Sequence, residues 1–308
     1  MKKFKFHLLA RVLTVLLVVT LAGTLCAACG NGGKDSSDKA ANEGKDTEED
    51  RGTENDAGSE TEIQVFIAAS LQKVMEQIAE DYNKQHPEVK ITYHADSSGT
   101  LLTQIEEGYE CDIFFSAAQK QMDQLEEDGL VVEGTRSDVV NNQVVVVTRK
   151  DSGTKVTGLS DIGKADSIAL AGGSVPVGRY TRQALVNMGV LEKVEDPAAI
   201  TTRQVSDALD GVEISEQDNV SKVLLAVAEG SCEVGTVYYS DTYGYEDELD
   251  VLETVSYDLT GNVIYPVAQV ANSEADEAQE KAAADFVTYI LSDDAKTVFE
   301  DYYYIPVS

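Results

Sequence analysis

Positive charge is scarce in this chain. Its 308 residues carry 24 Lys and Arg against 55 Asp and Glu, a formal net charge of −31. That excludes a protein built to grip nucleic acid, which needs basic stripes to neutralise phosphates. Histidine is scarcer still. Only His7, His86 and His94 are present, too few for a His-rich metal site. His94, next to Tyr93, reads as a half-buried strand residue, so neither Ser70 nor Ser98 has a convincing base and no nucleophile–base pair forms. Phosphate-cradling glycine patterns are missing too, since Gly172-Gly173 is followed by neither a Lys nor a third Gly. No internal repeat is present. These absences argue against an enzyme and turn attention to binding.

The charge that is present lies unevenly. Residues 1–28 hold Lys2, Lys3, Lys5 and Arg11 and no acid, residues 30–62 hold 4 basic and 11 acidic residues, and 63–308 carry a net −28. A basic start, a largely apolar run over 8–25 and small residues before Cys29 describe a secretory signal peptide over 1–28. The alternative is an uncut transmembrane anchor. Ala27-Ala28-Cys29-Gly30 resembles the bacterial lipobox, with Cys26 standing where Leu is usual, and this implies that Cys29 is lipidated and becomes the mature N-terminus. Residues 29–62 are acidic and almost free of apolar side chains, too few to offset ordering entropy. They read as a tether reaching roughly 30 Å as random coil.

From Ile63 onward short apolar strands alternate with amphipathic helices, the pattern of an α/β fold. Strands are expected at 63–67, 89–93, 112–116, 143–149, 167–171, 234–239 and 263–271. Leu71, Val74, Met75, Ile78, Ala79 and Tyr82 form one face of a helix ended by His86-Pro87. Further helices are expected at 100–107, 120–128, 176–188, 220–229, 275–291 and 293–301. The polar stretch 190–217 reads as a loop with one short helix near 205–209. The chain thus leaves one lobe and returns to it: 63–142 plus 271–308 form the first lobe and 143–270 the second, joined by two crossover strands that act as a hinge beside a cleft. Cys111 and Cys232 fall in different lobes. A disulfide between them is permitted outside the cell but would hamper the hinge, so two separate buried thiols are expected.

In open α/β sheets ligands sit beyond the carboxyl ends of strands, where helix N-termini point. The strand-to-helix junctions here carry hydroxyls and small residues. Ser70 follows Phe66-Ile67-Ala68-Ala69 at an N-cap position, and Asp96-Ser97-Ser98-Gly99-Thr100 opens the next helix. Val175-Pro176-Val177-Gly178 places Pro in a first turn, Asp218-Asn219-Val220 starts another helix, and Gly235-Thr236-Val237-Tyr238 ends a strand in a phenol. Any one of these residues alone is most simply an N-cap. Together they offer N–H donors and partial positive charge without a formal cation, which suits a small desolvated anion.

This run of motifs resembles the molybdate-binding protein family, the extracytoplasmic receptors of molybdate ABC importers, over nearly all of 63–308. The resemblance rests on Val65-Phe66-Ile67-Ala68-Ala69-Ser70-Leu71, Ser97-Ser98-Gly99-Thr100-Leu101, Asp112-Ile113-Phe114-Phe115-Ser116-Ala117, Val175-Pro176-Val177-Gly178-Arg179-Tyr180 and Gly235-Thr236-Val237-Tyr238-Tyr239-Ser240-Asp241. It implies an α/β, two-lobed periplasmic-binding-protein-like fold of type II, with mixed sheets flanked by helices. It also implies that Ser70 and Ser98 donate from hydroxyl and backbone, Val177 and Val220 from backbone N–H, and Tyr238 from its phenol, to molybdate or tungstate. The metal arrives inside the oxyanion, so no direct cation ligands and no other cofactor are implied. Asp96 stands where the family usually has a small neutral residue and is expected to point away or to cap the helix. The implied partners are the oxyanion, an ABC permease and, through the lipid, the membrane, for a monomer outside the cytoplasm.

Rival readings remain. With 14 Tyr in the chain, paired tyrosinates such as Tyr238-Tyr239 could hold ferric iron in a receptor of similar architecture. Another oxyanion of sulfate type is a second alternative, and a purely structural lipoprotein a third.

Overall fold

The computed structural model describes residues 60–307. The signal peptide, Cys29 and the tether up to residue 59 lie outside the described residues. Among the described residues the strands are β1 (Thr61–Ala68), β2 (Val89–Asp96), β3 (Ile113–Phe115), β4 (Ser137–Asn142), β5 (Val144–Arg149), β6 (Ser167–Ala171), β7 (Glu213–Gln217), β8 (Val234–Tyr238), β9 (Leu249–Thr254), β10 (Val263–Gln269) and β11 (Ile305–Pro306). The helices are α1 (Gln72–Asn83), α2 (Ser98–Glu106), α3 (Gln119–Glu127), α4 (Pro176–Asn187), α5 (Thr202–Ala208), α6 (Val220–Ala228), α7 (Tyr257–Thr260), α8 (Glu277–Ile290) and α9 (Asp293–Asp301).

Two mixed sheets flanked by helices result, the α/β class that the sequence pattern indicated. One has six strands in the order β11-β4-β10-β3-β1-β2, the other five in the order β7-β6-β8-β5-β9. β1 runs parallel to β2 and β3, while β10 runs antiparallel to β3 and β4. In the second sheet β6 is parallel to β7 and β8, and β5 is antiparallel to β8 and β9. Strands covered on both faces read as continuous apolar runs. Val144, Val145, Val146 and Val147 of β5 are accordingly all buried. α1 turns Val74, Met75, Ile78 and Tyr82 inward. α8 packs on β1 and β10 and α9 on α1, so the C-terminal helices return to the first sheet.

Three sequence expectations change. Thr61 and Glu62 belong to β1 rather than to the tether, because Thr61 pairs with Val89 and Glu62 with Lys90 of β2. β10 lies in the six-stranded sheet, so most of 263–270 joins the first half rather than the 143–270 unit. An apolar run such as Val-Ile-Tyr-Pro-Val-Ala-Gln announces a buried strand but not its sheet, and a register shift at Tyr265/Pro266 accommodates the proline there. The stretch 190–217 holds β7 as well as α5; β7 is an edge strand with one apolar residue, the partly buried Ile214, and so lacks an apolar signature. Cys111 and Cys232 are both buried free thiols.

Candidate functional site

A small cavity of about 10 Å³ lies between the two sheets, where β1, β2 and β8 end and α2, α4 and α6 begin. Ser70, Ser98, Val177, Val220 and Tyr238 all line it, together with Ala68, Ala69, Asp96, Ser97, Ala117, Val175 and Pro176. Ser70 and Ser98 come from the six-stranded half and the other three from the five-stranded half, so the five expected residues are brought to one place.

Their local roles differ from simple capping. Ser70 sits inside a single 3-10 turn, Ala69–Leu71, and caps neither that turn nor α1. Its Oγ instead lies 3.0 Å from Tyr265 Oη. Asn142 Nδ2 donates to that phenol at 3.2 Å; when the phenol in turn donates to Ser70, the serine proton is left for a third group. In α2 the cap is Ser97, whose Oγ accepts from Thr100 N–H at 3.1 Å. Ser98 is thereby relieved of capping. It is fully buried and its Oγ accepts Ala117 N–H at 2.9 Å, which leaves its proton for another acceptor. Val175 provides α4 with no side-chain cap, and Pro176 occupies its first turn. First-turn N–H groups have no partner within their own helix, and Val177 lines the cavity from that first turn. At α6 the cap is Asn219, bonded to Lys222 N–H at 3.1 Å, which leaves Val220 N–H outside the cap bond.

Tyr238 is 1% exposed, and its hydroxyl is buried with no hydrogen-bond partner. Burial pushes its pKa well above the ordinary phenol value, so it stays a neutral donor. Tyr239, in contrast, is 40% exposed and packs its ring at a tilt against Tyr303. The two neighbours face different surroundings, and no phenolate pair is assembled. Asp96, the carboxylate of the lining, does not cap α2. Its Oδ1 accepts Ser97 N–H at 2.7 Å and Asn219 Nδ2 at 3.1 Å, a bond that crosses between the two halves. No Lys or Arg lines the cavity. Arg179 is tied to Asp196, which Lys120 of α3 also reaches, and Lys222 is tied to Asp218.

Sequence reasoning missed the support behind these donors. Tyr304 Oη donates to the Ser70 carbonyl at 2.7 Å, and Asn142 Nδ2 also donates to Ser240 Oγ at 2.8 Å. Asp241 Oδ2 accepts Tyr238 N–H at 2.8 Å and so fixes the strand end that carries the phenol. Burial pushes the Asp241 carboxyl up to about 7, opposed by that N–H and by Lys73. Only Asp241, the fourth residue of Tyr238-Tyr239-Ser240-Asp241, carried a legible signal, as an acid placed three residues after a strand end.

Residues 63–305 match the bacterial extracellular solute-binding protein family. The chain is 30% identical to the putative ABC transporter substrate-binding lipoprotein YvgL of Bacillus subtilis, over 78% of this chain and 85% of that protein. It is also 30% identical to the molybdate-binding protein ModA of Escherichia coli, over 79% of this chain and 88% of the relative. Among solved structures, the substrate-binding domain of a putative molybdenum ABC transporter from Clostridium difficile shares 33% identity, with a TM-score of 0.57 over 80% of this chain and 99% of that one. The chain therefore belongs to the bacterial extracellular solute-binding proteins and, within them, to the molybdate-binding group.

Proposed function

We propose that this ABC-transporter substrate-binding protein closes its two lobes on molybdate or tungstate and delivers the anion to a membrane permease. The observation that carries the reading is the Tyr238 hydroxyl, buried without a partner in a cavity that the Ser70 and Ser98 side chains also line. A buried polar group left unpaired is costly, and an oxyanion oxygen relieves that cost. Ser70 and Ser98 hydroxyls and the Val177 and Val220 N–H groups complete the donor set. Asp96, the one carboxylate of the lining, is already engaged by Ser97 N–H and Asn219 Nδ2, and the lack of a second lining carboxylate supports an oxyanion over ferric iron, which needs anionic ligands. Sulfate, similar in shape but smaller, is rejected by fit.

A thermal-shift panel of molybdate, tungstate, sulfate and Fe(III) tests the assignment. Stabilisation by molybdate and tungstate is expected, and a shift with iron alone would overturn it. The anchor is a separate part of the reading: Cys29 carries lipid that holds the receptor on the outer face of the membrane. Cys29→Ser should release the protein into the medium of a single-membrane host, and continued membrane attachment would indicate an uncut helix.

A further inference from the structure

The most deeply buried charge among the described residues is Arg182 of α4, with 0% exposure. Its Nε donates to the Ile200 carbonyl at 2.8 Å, Nη1 to the carbonyls of Ala171 and Gly178 at 2.8 and 2.9 Å, and Nη2 to Thr202 Oγ1 at 3.1 Å. None of these acceptors is a carboxylate. Glu216, on the exposed side, joins the network only through the Thr202 hydroxyl, which donates to it. Burial lowers the guanidinium to about 10, with Glu216 opposing, so it remains charged at neutral pH. Holding an ion out of water without a direct counterion is costly.

The location suggests what offsets that cost. Ala171 ends β6, and Gly178 follows Val177 in the first turn of α4, so the guanidinium lies behind the turn 172–177 that presents Val177 to the cavity. The turn is folded tightly: a Cβ on Gly178 would stand 2.2 Å from the Gly172 oxygen and 2.4 Å from that of Ala171. Arg179 and Lys222, the cations next to the α4 and α6 junctions, are each bonded to an acid. Arg182 is not. We infer that Arg182 is the countercharge of the bound anion, a positioning residue that touches no ligand atom but whose field favours a dianion over a monoanion of the same shape. This inference rests on the oxyanion reading above and deepens it.

The test compares molybdate with perrhenate, a tetrahedral monoanion of similar size, by equilibrium binding to wild type, Arg182→Met and Arg182→Lys. A charge–charge energy scales with ligand charge, so a loss of about fivefold for perrhenate in Arg182→Met becomes about 25-fold for molybdate. Arg182→Lys keeps the charge and should weaken both anions by the same factor. Equal losses in Arg182→Met would show a scaffold role and overturn the inference while leaving the oxyanion site intact. Should that variant fail to fold, Glu216→Gln at its exposed position decides at low salt. Removing the opposing carboxylate should tighten molybdate more than perrhenate, and an unchanged ratio overturns the inference. A wild-type protein that binds neither anion overturns the oxyanion reading itself.

Discussion

A buried hydroxyl that accepts one hydrogen bond still has a proton to place. Ser98, accepting from Ala117 N–H, is in that position, half-buried Ser70 is paired with Tyr265, and the buried Tyr238 hydroxyl has no partner at all. Hydrogen bonds to charged groups contribute about 1.5–3 kcal/mol. Ser70→Ala, Ser98→Ala and Tyr238→Phe should each weaken anion binding about 10–150-fold by calorimetry. Val177→Ala should change little, because its N–H remains. Tyr238→Phe should also leave the ligand-free protein no less stable, since the lost hydroxyl bonds nothing; a clear drop in melting temperature would mean that the phenol is structural.

Asp241 gives a pH dependence. Its carboxyl is held near 7 in the folded state, above its usual range, so the folded protein binds a proton that the unfolded chain releases. This contribution is fully present below about pH 4 and is lost as pH rises through about 7, on the order of 4 kcal/mol. Asp241→Asn keeps an acceptor for Tyr238 N–H and should flatten that part of the profile in denaturant titrations; an unchanged slope would refute the assignment. The donors were legible because they stand where strands end and helices start. Arg182 was not, because between Thr181 and Gln183 it reads as part of a solvated helix face, and only the approach of Ile200 and Thr202 buries it.

Among the elements, α2 of one half and the loop before α4 of the other meet closely. A Cβ on Gly99 would lie 2.8 Å from the Ser174 carbonyl oxygen, so any side chain there holds the halves apart. Gly99→Val should fold normally yet spend less time closed, and apparent affinity falls in proportion to the closed fraction, about tenfold for a tenfold drop. Unaltered affinity would show that closure tolerates the side chain. Central strands and long amphipathic helices were readable because both faces, or one face, must be apolar. The edge strands β7 and β9 were not, since Glu213–Gln217 and Leu249–Thr254 carry mostly polar or exposed residues that leave no alternation to detect.

At the scale of the whole molecule, a body of −28 is asked to capture a dianion. Long-range repulsion should slow encounter, while dipoles and hydroxyls act only at contact. Salt screens the first over a Debye length of about 10 Å at 0.1 M and barely reaches a buried site. Stopped-flow association should therefore quicken or stay flat as inert salt is added, with dissociation almost unchanged. A steep fall would mean that exposed cations steer the ligand.

The two crossings between the sheets are unequal. From β4 to β5 the chain passes through Gln143 alone, whereas from β9 to β10 it uses residues 255–262, with α7 among them. One is a pin and the other a slack strap, so relative motion of the halves would be a swing about Gln143. Points near a pin hardly travel. Asn142 is next to it, and through Tyr265 it holds Ser70, while the Gln143 carbonyl accepts Tyr239 N–H beside Tyr238. Ser70 and Tyr238 would then keep their places while the door stands ajar, an arriving anion would settle on that stationary corner first, and Val177 and Val220 would be carried to it as the door swings shut.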